Sequence, residues 1–200
     1  MSHEVETMAW TDQVPWHGLG VKVEPNLTPD EMLTVAGVDW SVSKIDQYIK
    51  VGDNEILTDQ KALVRSSDNS ILTYVSDGWE PVQNKDAFNF FTDFVNSGHM
   101  EMHTAGSLSK GKKVWALARI SDLDFDVVAN DHIDQYLLFS NPHEYGKCID
   151  IRYTSVRVVC NNTLTLALNG KSDLMIRLNH SKAFDPEFVK KTLSAAEARN

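Results

Sequence analysis

In residues 106–120, GSLSKGKKVWALARI, a run of small residues leads into a Lys-Gly-Lys-Lys turn at 110–113 and then into the apolar segment Val114–Ile120. The order reads strand, turn, strand. Two more short apolar runs follow, Tyr136-Leu137-Leu138-Phe139 and Ile149-Asp150-Ile151-Arg152-Tyr153, so the second half of the chain is strand-rich. Short strands joined by tight turns point to a mainly antiparallel sheet, because parallel neighbours need long crossovers. On an alternating strand one face is buried, so Trp115 or its neighbours Val114 and Ala116 face inward, and the pattern leaves the choice open.

Upstream, Val38, Trp40 and Val42 alternate with Asp39, Ser41 and Ser43, the period of a half-buried strand. Ala62–Arg65 and Ile71–Val75 flank a Ser-Ser-Asp-Asn-Ser turn and read as a hairpin or meander. Thr28-Pro29-Asp30-Glu31 combines an N-cap, a proline at the first helical position and a capping box, and Gly37 ends that helix. Asn84 is expected to cap a second helix through Ala87, Phe88, Phe91, Phe94 and Val95, closed by Gly98. Asp185-Pro186-Glu187 opens a last one, and Thr163–Leu168 fits either a strand or the start of a helix. Residues 1–27 read as an irregular arm packed on the domain. The expected fold is one α+β domain over 28–200, a mainly antiparallel sheet with two or three short packed helices.

The 200 residues are 42% hydrophobic and 24% charged, ordinary globular values. The richest apolar run, Val156–Leu168, is broken by Arg157, Asn161 and Asn162, so no membrane span is expected. The N-terminus has no basic segment followed by an apolar one, so it is not read as a secretory signal, and a cytoplasmic location is expected. Cys148 and Cys160 are too few for a disulfide framework and read as reduced core residues. The net charge of -9 argues against a protein that coats duplex DNA. The charge is uneven: residues 1–100 hold 6 Lys+Arg against 16 Asp+Glu, and residues 101–200 hold 13 against 12. A locally basic face in the second half remains available, fed by Lys110, Lys112, Lys113, Arg152, Arg157 and Arg177.

Several constellations touch known chemistries without completing them. His99 and His103 are four apart, as zinc ligands on a helix can be, but Gly98 has just ended a helix and the glutamate is not beside the first histidine. Cys160 with His17, His143 or His180 and Asn161 has the residue types of a thiol nucleophile, yet a cysteine among valines is commonly a small buried hydrophobe. Asp122, Asp124 and Asp126 lack the glycine and terminal glutamate of a calcium loop and read as a solvated acidic loop. The 106–112 segment lacks the GxxxxGK[ST] order of a phosphate cradle. No catalytic residue, metal or cofactor is therefore assigned. Trp79, Trp115, Tyr136, Phe139 and Tyr153 are candidates for stacking on unpaired bases while basic residues track phosphates.

The ordered segments PWHGLGVKV, VDWSVSK, GWEPVQNKDAF, AGSLSKGKKVWALARI, LLFSNPHE and RYTSVRVVCNNTLTLAL resemble the phage/plasmid-like protein family, a domain-of-unknown-function family of bacteriophages, prophages and plasmids. The resemblance covers about residues 2–180. It implies a protein of mobile elements acting inside a bacterial cell, with members that run longer than this chain, so that Asn200 is expected to be a truncation point. It transfers no reaction. The matched residues Trp16, His17, Gly18, Gly20, Asn84, Gly106, Ser107, Asn141, Arg157, Cys160, Asn161 and Asn162 mark where a site is to be sought, and their amides suit hydrogen-bond recognition.

Two functions are expected from these features. The first is a non-enzymatic accessory role in DNA metabolism, of the recombination or replication type. It binds single-stranded nucleic acid through Lys110, Lys112, Lys113, Arg152, Arg157 and Trp115. The alternative is a counter-defence or host-takeover protein that binds a host protein through its acidic first half. A homo-oligomer is compatible with either.

Overall fold

Strands Lys113–Ile120 and Tyr136–Pro142 lie antiparallel at the centre of the structure, with Leu117 opposite Leu138 and Ala116 opposite Phe139. The computed structural model describes residues 4–121, 125–126, 132–172 and 174–197. In chain order, the first half contains β1 (Val5–Trp10), β2 (Val21–Lys22), α1 (Pro29–Val35), β3 (Val42–Val51), β4 (Asn54–Arg65) and β5 (Ile71–Ser76). Then come α2 (Asn84–Asn89), α3 (Thr92–Asn96), β6 (Met100–Leu108), β7 (Lys113–Ile120), β8 (Phe125–Asp126), β9 (His132–Ile133) and β10 (Tyr136–Pro142). The chain continues through β11 (Ile149–Thr154), α4 (Asn161–Asn169), β12 (Met175–Leu178) and α5 (Pro186–Glu197). A seven-stranded sheet has the order β12-β11-β10-β7-β6-β1-β2, a three-stranded sheet the order β3-β4-β5, and β8 pairs with β9. Among the described residues only β1 and β2 run parallel, so the fold is α+β with a mainly antiparallel sheet, as the sequence predicts.

The large sheet is covered on both faces. Ala9, Ala105, Val114, Ala116, Phe139 and Ile151 meet α1, α2, α5 and the small sheet through Met32, Phe88, Leu63 and Val189. On the opposite face, Met8, Trp10, Trp115, Leu117 and Leu138 pack under α4 and the strap before it, through Val158, Leu164 and Ala167. Trp115 and its neighbours are thus all buried, where one-sided burial was expected. The Trp115 indole N–H donates to Thr104 Oγ1 at 3.2 Å, and that hydroxyl donates to Val158 O at 2.6 Å, so the ring costs no unpaired donor.

The structure departs from the sequence reading at four places. Residues 1–27 are not wholly an irregular arm, because Val5–Trp10 is a strand whose residues 8–10 are buried between β6 and β2. Strand pairing in 38–51 starts only at Val42, although Val38, Trp40 and Val42 are buried in alternation. The second helix is split into α2 and α3, and α4 adds another, so helical segments exceed the two or three expected. The break is slight, since Phe90 and Phe91 keep right-handed helical backbone angles, and Phe88, Phe90 and Phe91 are all buried. Cys160 is buried, but Cys148 is exposed and donates to Asn179 Oδ1. The loop expected around Asp122 and Asp124 lies outside the described residues.

Asn84 does not cap α2, whose N-cap is Gln83. Its carboxamide is buried and works inward. Nδ2 donates to Val38 O at 3.0 Å and Trp40 O at 3.3 Å, and Oδ1 accepts from Asn141 Nδ2 and from His143 Nε2 at 2.8 Å. Asn141 Nδ2 also reaches Val82 O. One side chain therefore joins the segment before β3, the start of α2 and the end of β10. Because Asn84 Oδ1 can only accept, His143 carries a proton on Nε2. Burial, with His180 nearby, pushes the His143 pKa down to about 3.

Two outcomes follow for stability. Asn84→Ala orphans two carbonyls and His143, and is expected to lower the unfolding free energy by about 2–4 kcal/mol in urea titrations. Below the unfolded-state histidine pKa near 6.5 the unfolded chain binds a proton that folded His143 refuses. Stability is then expected to fall as pH drops from 6.5 towards 3, by up to about 1.4 kcal/mol per pH unit from this residue. Unfolding midpoints at several pH values should show a shallower fall for His143→Asn.

Candidate anion-binding pocket

The helix α4 presents Asn161, Leu164, Thr165, Leu168 and Asn169 on one face, as the i, i+3, i+4, i+7, i+8 spacing dictates. That face lies across the β12 side of the large sheet and borders a solvent-open cavity of about 420 Å³. The opposite wall comprises Lys113 of β7, Ser140 and Pro142 of β10, the Gly146–Cys148 turn, Asp150 of β11 and Arg177 of β12. Three cations and one carboxylate line the space. Lys113 Nζ donates to Asn161 Oδ1 at 3.2 Å, which places an ammonium beside the positive end of the α4 dipole.

The floor is a buried ion pair. Arg152, 1% exposed, gives Nε and Nη2 to the two oxygens of Asp150, and its Nη1 caps the end of α4 at Ala167 O and Gly170 O. Arg177 donates Nε to Asp150 Oδ2 at 2.8 Å, and this bond keeps its guanidinium above the ordinary range. Asp150 is matched by two arginines, so the net charge of the site is positive even though the chain is acidic. Arg177 is 55% exposed and turns its fork to solvent. A positive, partly walled space with amides and hydroxyls suits a phosphate or carboxylate ligand.

Two distant segments meet at the start of α4. Pro15–Gly20 is held by Trp10 Nε1 to Leu19 O and His17 Nε2 to Val159 O at 2.9 Å, and the residues before it by Arg157 Nη2 to Thr11 O and Gln13 O. Gly18 has φ +68° and Gly20 φ +90°, and a Cβ on Gly20 would sit 2.4 Å from the Met8 side chain. Arg157 Nε donates to His103 Nε2 at 2.9 Å, which bars a proton there, and burial lowers the His103 pKa to about 4. Cys160 is the N-cap of α4. Burial alone would raise its thiol pKa, but bonds from the Thr163 N–H and hydroxyl, the Asn162 N–H and the Trp16 side chain outweigh it and lower the pKa. His17 accepts the Leu19 N–H on Nδ1 and donates from Nε2 to Val159 O, so it offers Cys160 no base.

The expected site residues therefore separate. Lys113, Asn161 and Arg177 come together in the pocket. Lys110 is exposed and Lys112 half-buried in the β6–β7 turn. Arg152 is buried in an ion pair and cannot track a phosphate, Arg157 spends its guanidinium on the N-terminal segment, and Trp115 is 0% exposed and cannot stack on a base. Asn84 and Asn141 tie the core together, away from any open surface. The Trp16 side chain bonds to Cys160 and His17 to the neighbouring Val159 O, Gly20 packs against Met8 and Trp10, Gly18 forms the turn, and Asn162 is exposed on the first turn of α4. His99 precedes β6 and His103 lies within it, where His103 is neutral; among the described residues no three His, Cys, Asp or Glu side chains gather in a metal-binding group. Lys147 and Asp150 were missed. Their sequence signals are slight, a Gly-Lys turn and an aspartate between two isoleucines.

In native protein, Cys148 is expected to react quickly with a disulfide reagent and Cys160 slowly, given their exposures. His17→Ala frees the covering segment and should raise the Cys160 rate at least tenfold in a two-phase thiol titration.

Residues 71–199, which carry the whole pocket and Cys160, match the family described as Domain of unknown function (DUF932), and the chain belongs to that family. No curated protein and no solved structure matches the chain.

Proposed function

We propose that this DUF932-family chain is a non-enzymatic accessory protein of a phage or plasmid that binds single-stranded nucleic acid in a bacterial cell. In this reading the pocket between α4 and the sheet receives a backbone phosphate. The observation that supports it is the gathering of Lys113, Lys147 and Arg177 around one carboxylate in a chain of net charge -9. Arg177 offers a planar fork to two phosphate oxygens and the lysines act as point charges. Asn161, Thr165 and Asn169 supply neutral donors and acceptors for sugar or base edges. Tyr145, 63% exposed beside Gly146, provides the flat surface for a base that Trp115 does not.

Single strands fit better than duplex. Duplex binding draws on an extended basic surface, whereas this site is one compact basic spot on an acidic molecule. No helix among the described residues is long and apolar enough to cross a membrane.

Fluorescence anisotropy of labelled single-stranded and duplex oligonucleotides at several salt concentrations tests the proposal. Single-strand binding should weaken with salt, with a log–log slope of about -0.7 for each phosphate the pocket neutralises. Lys113→Glu and Lys147→Glu should each weaken binding about tenfold or more without changing the fold. Absence of binding at low salt, or binding indifferent to both substitutions, would overturn it.

A further inference from the structure

The hairpin formed by β3 and β4 reaches beyond the core and carries an unusual load of exposed apolar side chains. Ile45, Tyr48, Ile49, Val51, Ile56 and Leu57 are each about half exposed, from 47% to 56%. The strand β3 is also an edge. At its start Gln83 bonds both backbone groups of Val42, but from Ser43 to Val51 the described backbone pairs on the β4 side alone. A ten-residue edge flanked by apolar residues is a template for another strand, and proteins commonly shield such edges.

The order of charges along β3 selects the occupant. Lys44, Asp46, Tyr48 and Lys50 share one face, and Ser43, Ile45, Gln47, Ile49 and Val51 the other. When β3 is laid antiparallel against a second β3 with Tyr48 on the two-fold axis, Asp46 falls opposite Lys50 of the partner subunit. On the other face Ile45 falls opposite the partner's Val51. Within one chain Asp46 already pairs with Lys61, and Lys50 lies opposite Glu55. The row across four strands then reads Lys61, Asp46, the partner's Lys50, the partner's Glu55, with signs alternating throughout. Between the two such rows lie Leu57, Tyr48, the partner's Tyr48 and the partner's Leu57. Sliding the centre to Gln47 sets Lys44 against the partner's Lys50, and sliding it to Asp46 sets two aspartates together. The irregularity between Asp46 and Tyr48 places the extra residues on β4, so β3 stays straight enough to pair.

We propose that two copies of this chain associate through β3, antiparallel and centred on Tyr48, joining the two small sheets into one six-stranded sheet. The pairing is isologous, so it closes at a dimer. An edge contact of this length lies at the small end of stable interfaces, near about 1,200 Å² in total, and a micromolar dissociation constant is expected.

Sedimentation equilibrium over a range of concentrations tests it. The 22.5 kDa chain should shift towards twice that mass as concentration rises. Asp46→Lys alone and Lys50→Asp alone each set like charges opposite one another and should be monomeric. An equimolar mixture of the two restores opposite charges at both positions across the interface and should recover the dimer, which a folding defect would not do. With Cys148→Ser to remove the exposed thiol, Tyr48→Cys should form an intermolecular disulfide, since directly opposed strand residues are within disulfide reach. A monomeric parent protein, or single variants that dimerise as the parent does, would overturn the proposal and return this face to a different partner. Neither result bears on nucleic-acid binding.

Discussion

Both faces of the seven-stranded sheet are covered, and most other features follow from that constraint. Where the sheet is dry on both sides its polar side chains have no water, so each needs an internal partner. Trp115 hands its N–H to Thr104, and Thr104 passes its own to Val158 O. Asn141 meets Asn84, and Asp150 meets Arg152. These bonds then fix what covers the sheet. The Asn84 carboxamide holds α2 and the entry to β3 against one face, and the Arg152 guanidinium holds the end of α4 against the other. Polar burial thus locates the covering elements on a sheet whose apolar residues would accept many arrangements.

The pocket arises from the same pairing. Asp150 is satisfied from below by Arg152, so Arg177 is needed only in part and keeps an exposed fork at the rim. Lys113 and Lys147 add charge from a strand end and a turn. A chain with a large acidic excess can present a basic spot because screening confines each surface charge to its neighbourhood, about 8–10 Å in physiological salt. The acid of the first half does not cancel it by averaging.

Local elements were well legible in the sequence. The Thr28 capping box forms as written, with Glu31 N bonded to Thr28 Oγ1 and Thr28 N to Glu31 Oε2. Asp185 caps α5 through Phe188 N. The strands around 62–65, 71–75, 114–120, 136–139 and 149–153 and the turn at 110–113 appear where periodicity placed them. Single residues chosen for chemistry fared less well. Arg152, Arg157 and Trp115 have the right types for a nucleic-acid surface, but type carries no information on which way a side chain points or what it meets. Asn84 shows the same limit, since an asparagine before a helix reads as a cap unless the buried histidine it serves, 59 residues away, is known.

The sequence by itself determined the fold class, most element positions and the charge imbalance between the halves, because these depend on local periodicity, caps and composition. Tertiary structure decided which face of each strand met which layer, that β1 joined the sheet, and that PWHGLG lies against Cys160. It also decided that Lys113 and Arg177 share a pocket with Lys147 while Arg152 lies beneath it. Each of those depends on contacts between residues far apart in the chain, whose pairing is selected by the joint burial of both sheet faces and is encoded in no single segment.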